Sequence, residues 1–340
     1  MGIRYKTPAA ILAGLWLLFG VINAVGEETK ASPVVPAFPS LLEVLWTRAE
    51  LRGRLDDRQI RKGIITPCDT MPKTNPARVH PPLPPRLRQS IREVRPAGDR
   101  RLVALTFDLC EGPGEKAGYD AEIVNYLRDQ GIRATFFPTG KWMCSHPDKT
   151  MQLMADPLFE VGSHSWDHRN FRFLTVPEME RQILATQVQY ELLWEELVSR
   201  LAAAGVEPAR LARIPPAIRV FRFPYGACRT EALNLLARLG LPAIQWSVVS
   251  GDPAPGQSAA LISSRILKEV RPGAIIICHA NGRGHHTAAA LPRIIPALKS
   301  QGYSFVTVSE LLAAGEVVSS PECYEIKPGD GAKYDRYFRR

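Results

Sequence analysis

From about Arg101 onward the chain repeats one pattern: a short run of β-branched and aromatic residues, then an amphipathic helical stretch. The runs fall at residues 102–107, 134–138, 160–162, 220–223, 243–248, 274–278 and 304–306. Helices are predicted between and after them, over 119–130, 148–155, 177–204, 230–239, 258–270, 287–301 and 309–314. Short strands alternating with helices predict an α/β domain, a parallel sheet or barrel wound by helices. In such folds the loops beyond the C-terminal ends of the strands gather at one rim. Polar residues at those ends are therefore the candidates for chemistry.

Several such residues follow in order. Asp108 ends the first run; taken alone, an aspartate there is a turn residue. The segment Gly162-Ser163-His164-Ser165-Trp166-Asp167-His168 supplies two histidines at i and i+4, a spacing that puts both imidazoles on one side of a helical turn. Two imidazoles, a carboxylate and open water positions suit zinc or a similar divalent ion. Arg222 lies in the apolar run Phe221-Arg222-Phe223-Pro224-Tyr225-Gly226, where an unpaired guanidinium would be costly, so it should find a carboxylate, with Asp108 the candidate. Trp246 and Asp252 follow the next run. Ile277-Cys278-His279 ends the sixth, where a histidine near an aspartate can serve as a general acid. His285 and His286 read as solvated loop residues.

Taken together, Thr106-Phe107-Asp108, His164-x-x-x-His168, Arg222-x-Pro224-Tyr225, Trp246 with Asp252, and Ile277-x-His279 resemble the polysaccharide deacetylases of carbohydrate esterase family 4, the NodB-homology family. Ala134-Thr135-Phe136-Phe137 and Gly302-Tyr303-Ser304-Phe305-Val306-Thr307 add to the resemblance, which runs from about Arg101 to Ala314. It implies a distorted (β/α) barrel and metal-dependent hydrolysis of N-acetyl groups on an amino sugar polymer. By motif position, His164 and His168 would bind a divalent metal, zinc first, with cobalt or manganese as alternatives. Asp108 would be the general base and Arg222 would orient it. His279 would protonate the departing amine, tuned by Asp252. The Tyr225 backbone N–H would meet the oxyanion, and Trp246 and Ile277 would wall the acetyl pocket. Amide hydrolysis needs such a set: a Lewis acid, a base for water and an acid for a poor leaving group.

One position departs from the family pattern. Where a second aspartate would serve as a metal ligand, this chain has Leu109, which cannot bind metal. Glu111, in the loop Cys110-Glu111-Gly112-Pro113-Gly114-Glu115, is a candidate replacement. Two other arrangements stay open: Asp108 as ligand with Glu111 as base, or weak or absent metal binding as in allantoinase-like relatives. Functionally, the alternatives are an allantoinase-like hydrolase of a non-sugar amide and an inactive glycan-binding homologue.

The ends of the chain carry different signals. Arg4 and Lys6 precede an apolar run over residues 8–25, with Glu27 and Glu28 after it. This reads as a signal peptide or an uncleaved membrane anchor over residues 1–26, and the remainder is expected in the periplasm or outside the cell. Residues 27–100 are dense in proline and read as a linker or strap, with one helical pattern at 41–55. The catalytic domain is set at 101–315 and a C-terminal tail at 316–340. A formal net charge of +9 favours anionic polymers or membranes. Nucleic acid is the rival partner, but zinc-finger spacing and an aromatic-rich basic strand are both missing, so no nucleic-acid partner is expected.

An exported chain with six cysteines can form disulfides. Cys68 and Cys323 flank the catalytic segment and are candidates to tie the two tails together. Cys110 and Cys278, each beside a candidate catalytic residue, read as small buried apolar side chains. Trp142 and Trp166 are read either as platforms for sugar rings or as core.

Overall fold

The computed structural model describes residues 40–331. The candidate signal or anchor segment lies outside them, and no helix among the described residues is long and apolar enough to cross a membrane.

The centre is a parallel sheet in the order Phe159–Val161, Ala134–Pro138, Leu102–Leu109, Ile275–His279, Val248–Val249, with Ser304–Phe305 pairing the start of Leu102–Leu109. The runs at 220–223 and 243–248 form little regular strand. They contribute single parallel bridges, Ser163 to Phe221 and Phe221 to Ala243, and these close the sheet into a ring. The result is the distorted (β/α) barrel anticipated from the sequence. The proline after Phe223 withholds a ladder donor, one reason this part of the wall is irregular.

Side-chain alternation along Leu102–Leu109 divides the core in two. Val103, Leu105, Phe107 and Leu109 belong to the large cluster shared with the outer helices, while Leu102 and Ala104 meet Phe137, Val220, Ile244, Ile275 and Ile277 inside the ring. Ile275–His279 divides the same way, with Ile276 and Cys278 in the outer cluster. Outside, helices Ala121–Asp129, Ala259–Glu269 and Thr287–Ser300 pack side by side, and the long Val176–Ala203 helix covers the opposite flank.

The chain before residue 101 does more than link. The single helical pattern at 41–55 splits into Leu41–Leu45 and Arg48–Arg52, because the backbone turns extended at Trp46 and Thr47 caps the next helix in a capping box with Glu50. The backbone of Arg58 then lies so close to Gly118 and Gly282 that a Cβ on either would fall 2.3 or 2.1 Å from it. Ser90–Pro96 pairs antiparallel with Gly315–Ser320 and caps the ring at the ends where its strands begin, through Val94 N–H to the Gly273 carbonyl. Apart from Gly315, both strands of this sheet lie outside 101–315, so the two segments that flank the barrel pair with one another. The disulfides are Cys68–Cys144 and Cys228–Cys323, so each tail is fastened to the barrel and the two are not tied to one another.

Candidate active site

The C-terminal strand ends meet at one rim, around a cavity of about 470 Å³. Asp108 and His279 are register partners on neighbouring strands. Each is held by a buried group of opposite charge. Asp108 Oδ1 accepts from Arg222 at 2.8 Å; the same guanidinium donates to Thr106 Oγ1 at 2.8 Å and to the carbonyls of Ile244 and Gln245. The ion pair expected for Arg222 is thus present, and it is wholly enclosed. A guanidinium saturated in this way is locked, and so is the carboxylate it holds.

Asp252, also enclosed, accepts from His279 Nδ1 at 2.9 Å and from the His279 backbone N–H at 2.7 Å. Ser250 and Thr287 hydroxyls donate to the same carboxylate. Burial opposes charge on His279, but Asp252 outweighs it and holds the imidazole well above its ordinary range. His279 is therefore suited to carry a proton, with Nδ1 tethered to Asp252.

The histidine loop is not the helical turn its spacing predicts. Ser165 and His168 both adopt positive φ, 65° and 60°, and a tight non-helical turn brings the two imidazoles to 4.9 Å between ring centres. Strained backbone of this kind needs support from its surroundings. Gln182 of the long helix provides it, accepting from the N–H groups of Trp166 and Asp167 and donating to the Asp167 carboxylate at 2.6 Å. Trp166 packs where a Cβ on Gly140 would stand 2.4 Å from its ring. Trp142 and Trp166 are both core, so neither is a platform for sugar.

His164 Nδ1 bonds the Arg222 carbonyl at 2.9 Å, which makes Nδ1 the protonated nitrogen and leaves the Nε2 lone pair facing the cavity. That buried Nε2 has no hydrogen-bond partner, though Asp108 Oδ2 stands 3.6 Å away. A fixed tautomer with an unpartnered buried nitrogen is the donor geometry a metal requires, so the residues present fit a divalent ion.

The loop after Asp108 departs from the expectation for Glu111. Its carboxylate accepts from Ser145 Oγ at 2.6 Å and Ala117 N–H at 2.9 Å, with His146 Nδ1 4.0 Å away, and burial raises it to about 7. Glu111 is outside the cluster that could hold a metal; Cys110 is inside it. The Cys110 sulfur and one nitrogen each of His164 and His168 lie within 4.8 Å of one another, and the same holds for the sulfur with an Asp108 oxygen and a His279 nitrogen. Burial works against a thiolate at Cys110, but His168 and His164 reverse it and bring the thiol well below its ordinary range. His164 mirrors this: burial lowers it, Asp108 and Cys110 raise it, and the net direction is up. Cys278, by contrast, is an apolar core residue that burial pushes up. The signal missed in the sequence was parity, since Cys110 is two residues from Asp108 and Glu111 is three.

Tyr225, at φ 60°, borders the cavity with its ring 4.5 Å from that of His168. Trp246 and Ile277 line the cavity too. The C-terminal segment reaches this wall too, where the Glu325 carbonyl accepts from Trp246 Nε1 at 3.0 Å and Glu325 lines the cavity. Arg283 also lines it, paired with Glu115. His285 and His286 are exposed, as expected.

Comparison with known proteins places these features in context. The family model described as polysaccharide deacetylase matches residues 95–207. The peptidoglycan-N-acetylglucosamine deacetylase of Listeria monocytogenes is 31% identical over 221 residues, covering 65% of this chain and 41% of that relative. This chain therefore spans well under half of that protein's length. A chitooligosaccharide deacetylase of Sinorhizobium fredii is 30% identical over 213 residues, 59% of this chain and 87% of the relative. Among solved structures, a mutant with restored activity of a CE4 family pseudoenzyme aligns with TM-score 0.51 and 26% identity, over 66% of this chain and 71% of that one.

Proposed function

This chain belongs to the polysaccharide deacetylase family, and from that premise we propose that it hydrolyses N-acetyl groups on an amino sugar polymer, using a divalent metal held by His164 and His168. The observation that carries the reading is the convergence on one cavity of an Arg222-held carboxylate, an Asp252-held imidazole and the unpartnered His164 Nε2.

A divalent ion bound at the histidines supplies Lewis acidity toward the amide carbonyl and makes water a better nucleophile at neutral pH. The chain's own residues do the rest. Asp108, held in place by Arg222, takes the proton of the attacking water. His279 gives its proton to the nitrogen as the C–N bond breaks, which the poor amine leaving group requires. Arg222 and Asp252 are positioning residues, each fixing a reactive partner from behind. Tyr225 is assigned to the developing oxyanion through its backbone N–H, and Trp246 and Ile277 to the acetyl methyl group.

Names of relatives support peptidoglycan or chitin-like N-acetylglucosamine units as the substrate class. An extracytoplasmic site of action is supported by the two disulfides, which persist in oxidising compartments, and by the N-terminal apolar run; zinc is the metal proposed.

The test is hydrolysis of N-acetylglucosamine oligomers and peptidoglycan fragments, followed as acetate and free amine appearing in equal amounts. His279→Ala should lower kcat by about 10²–10⁴-fold. A wild type that binds these glycans yet frees no acetate is an inactive glycan-binding homologue. One that cleaves only non-sugar amides supports the allantoinase-like alternative.

A further inference from the structure

We propose that Cys110 is the third protein ligand to the metal, so that the site is built from two imidazoles and a thiolate and no carboxylate completes it. The inference rests on the reading above, that His164 and His168 hold a divalent ion.

Strand geometry excludes the other candidates. Alternation sends Leu109 into the outer core with Phe107, and Glu111 follows it outward to Ser145 and Ala117. Asp108 and Cys110 face the cavity. Asp108 is already engaged by Arg222, whereas the Cys110 sulfur lies within 4.8 Å of a nitrogen on each histidine. The loop has little freedom to rotate Glu111 inward. The Cys110 carbonyl accepts from Asn281 Nδ2 at 2.6 Å and Arg283 at 3.0 Å, and the Glu111 N–H donates to Thr139 at 3.2 Å. Independently, the buried and unpartnered His164 Nε2 points to a missing ligand at the same spot.

The substitution keeps the site's charge, since thiolate and carboxylate each contribute one negative charge. It changes the site's softness: a thiolate suits zinc or cobalt and disfavours manganese or magnesium, which prefer oxygen. It also leaves Asp108 free to act as the base.

Cobalt(II) tests this without reference to activity, because a bound thiolate gives a sulfur-to-cobalt charge-transfer band in the near ultraviolet. Metal-free full-length protein is titrated with cobalt, with circular dichroism verifying that each variant folds. The wild type should bind cobalt and show the band, and Glu111→Gln should keep it. Cys110→Ser should lose the band, and Cys110→Asp should bind cobalt without it. If Cys110→Ser does not fold, the wild-type spectrum still decides. Cobalt bound without the band, or with a band that Cys110→Ser or Cys110→Asp retains, overturns the thiolate ligand and leaves the metal reading standing. A band that survives His164→Ala places the thiolate off the histidine pair and overturns the proposal. A wild type that binds neither cobalt nor zinc overturns both.

Discussion

Two neighbouring strands, Leu102–Leu109 and Ile275–His279, end side by side, and each presents a reactive residue with a cysteine close by. At one end a carboxylate, Asp108, is held by a buried cation; at the other an imidazole, His279, is held by a buried anion. The polarity is reversed, as the proposed base and acid require. The cysteines differ in parity. Cys278 is one residue before His279 and so faces the helices, where it serves as core. Cys110 is two residues after Asp108 and shares its face. A cysteine's role here follows from its parity relative to the reactive residue, and proximity in sequence to that residue says little.

The comparison can be broken in three ways. The largest effect is expected at the Asp108 end, where Arg222→Met leaves a carboxylate buried and unpaired and should cost about 3–5 kcal/mol of stability in urea unfolding. A loss under 1 kcal/mol would mean that Asp108 is not sealed as described. The two cysteines come next. Cys278→Ser puts a hydroxyl into the outer core and should cost about 1–3 kcal/mol while leaving metal content intact; metal lost with it would undo the distinction from Cys110. The smallest effect is a pH shift at the His279 end. Asp252 raises His279 against burial, so His279 keeps its proton above its ordinary range. Asp252→Asn lets burial prevail, the pKa falls, and the basic limb of the kcat/KM profile should move to lower pH. An unmoved limb would separate Asp252 from the proton donor.

Much of this arrangement was legible in the sequence because strand ends are local signals. The run 102–107 followed by Asp108, and 274–278 followed by His279, both place a polar residue where a parallel barrel opens. The cost of burying Arg222 unpaired pointed to Asp108. What was illegible depended on long-range packing. The turn that joins His164 to His168 takes positive φ at Ser165 and His168 because Gln182, on a distant helix, holds it. The pairings Cys68–Cys144 and Cys228–Cys323, and the sheet formed by Ser90–Pro96 with Gly315–Ser320, join segments that no local pattern relates. Glu111 was the candidate in the sequence because its chemistry suited the ligand position, whereas the structure turns its carboxylate to Ser145 and Ala117, as the alternation along the preceding strand requires.

The most direct measurement is acetate release from an N-acetylglucosamine oligomer by metal-free protein titrated with zinc. The account predicts no release without metal and activity rising linearly until each chain holds one ion. Undiminished acetate release from protein shown to contain no metal would contradict it.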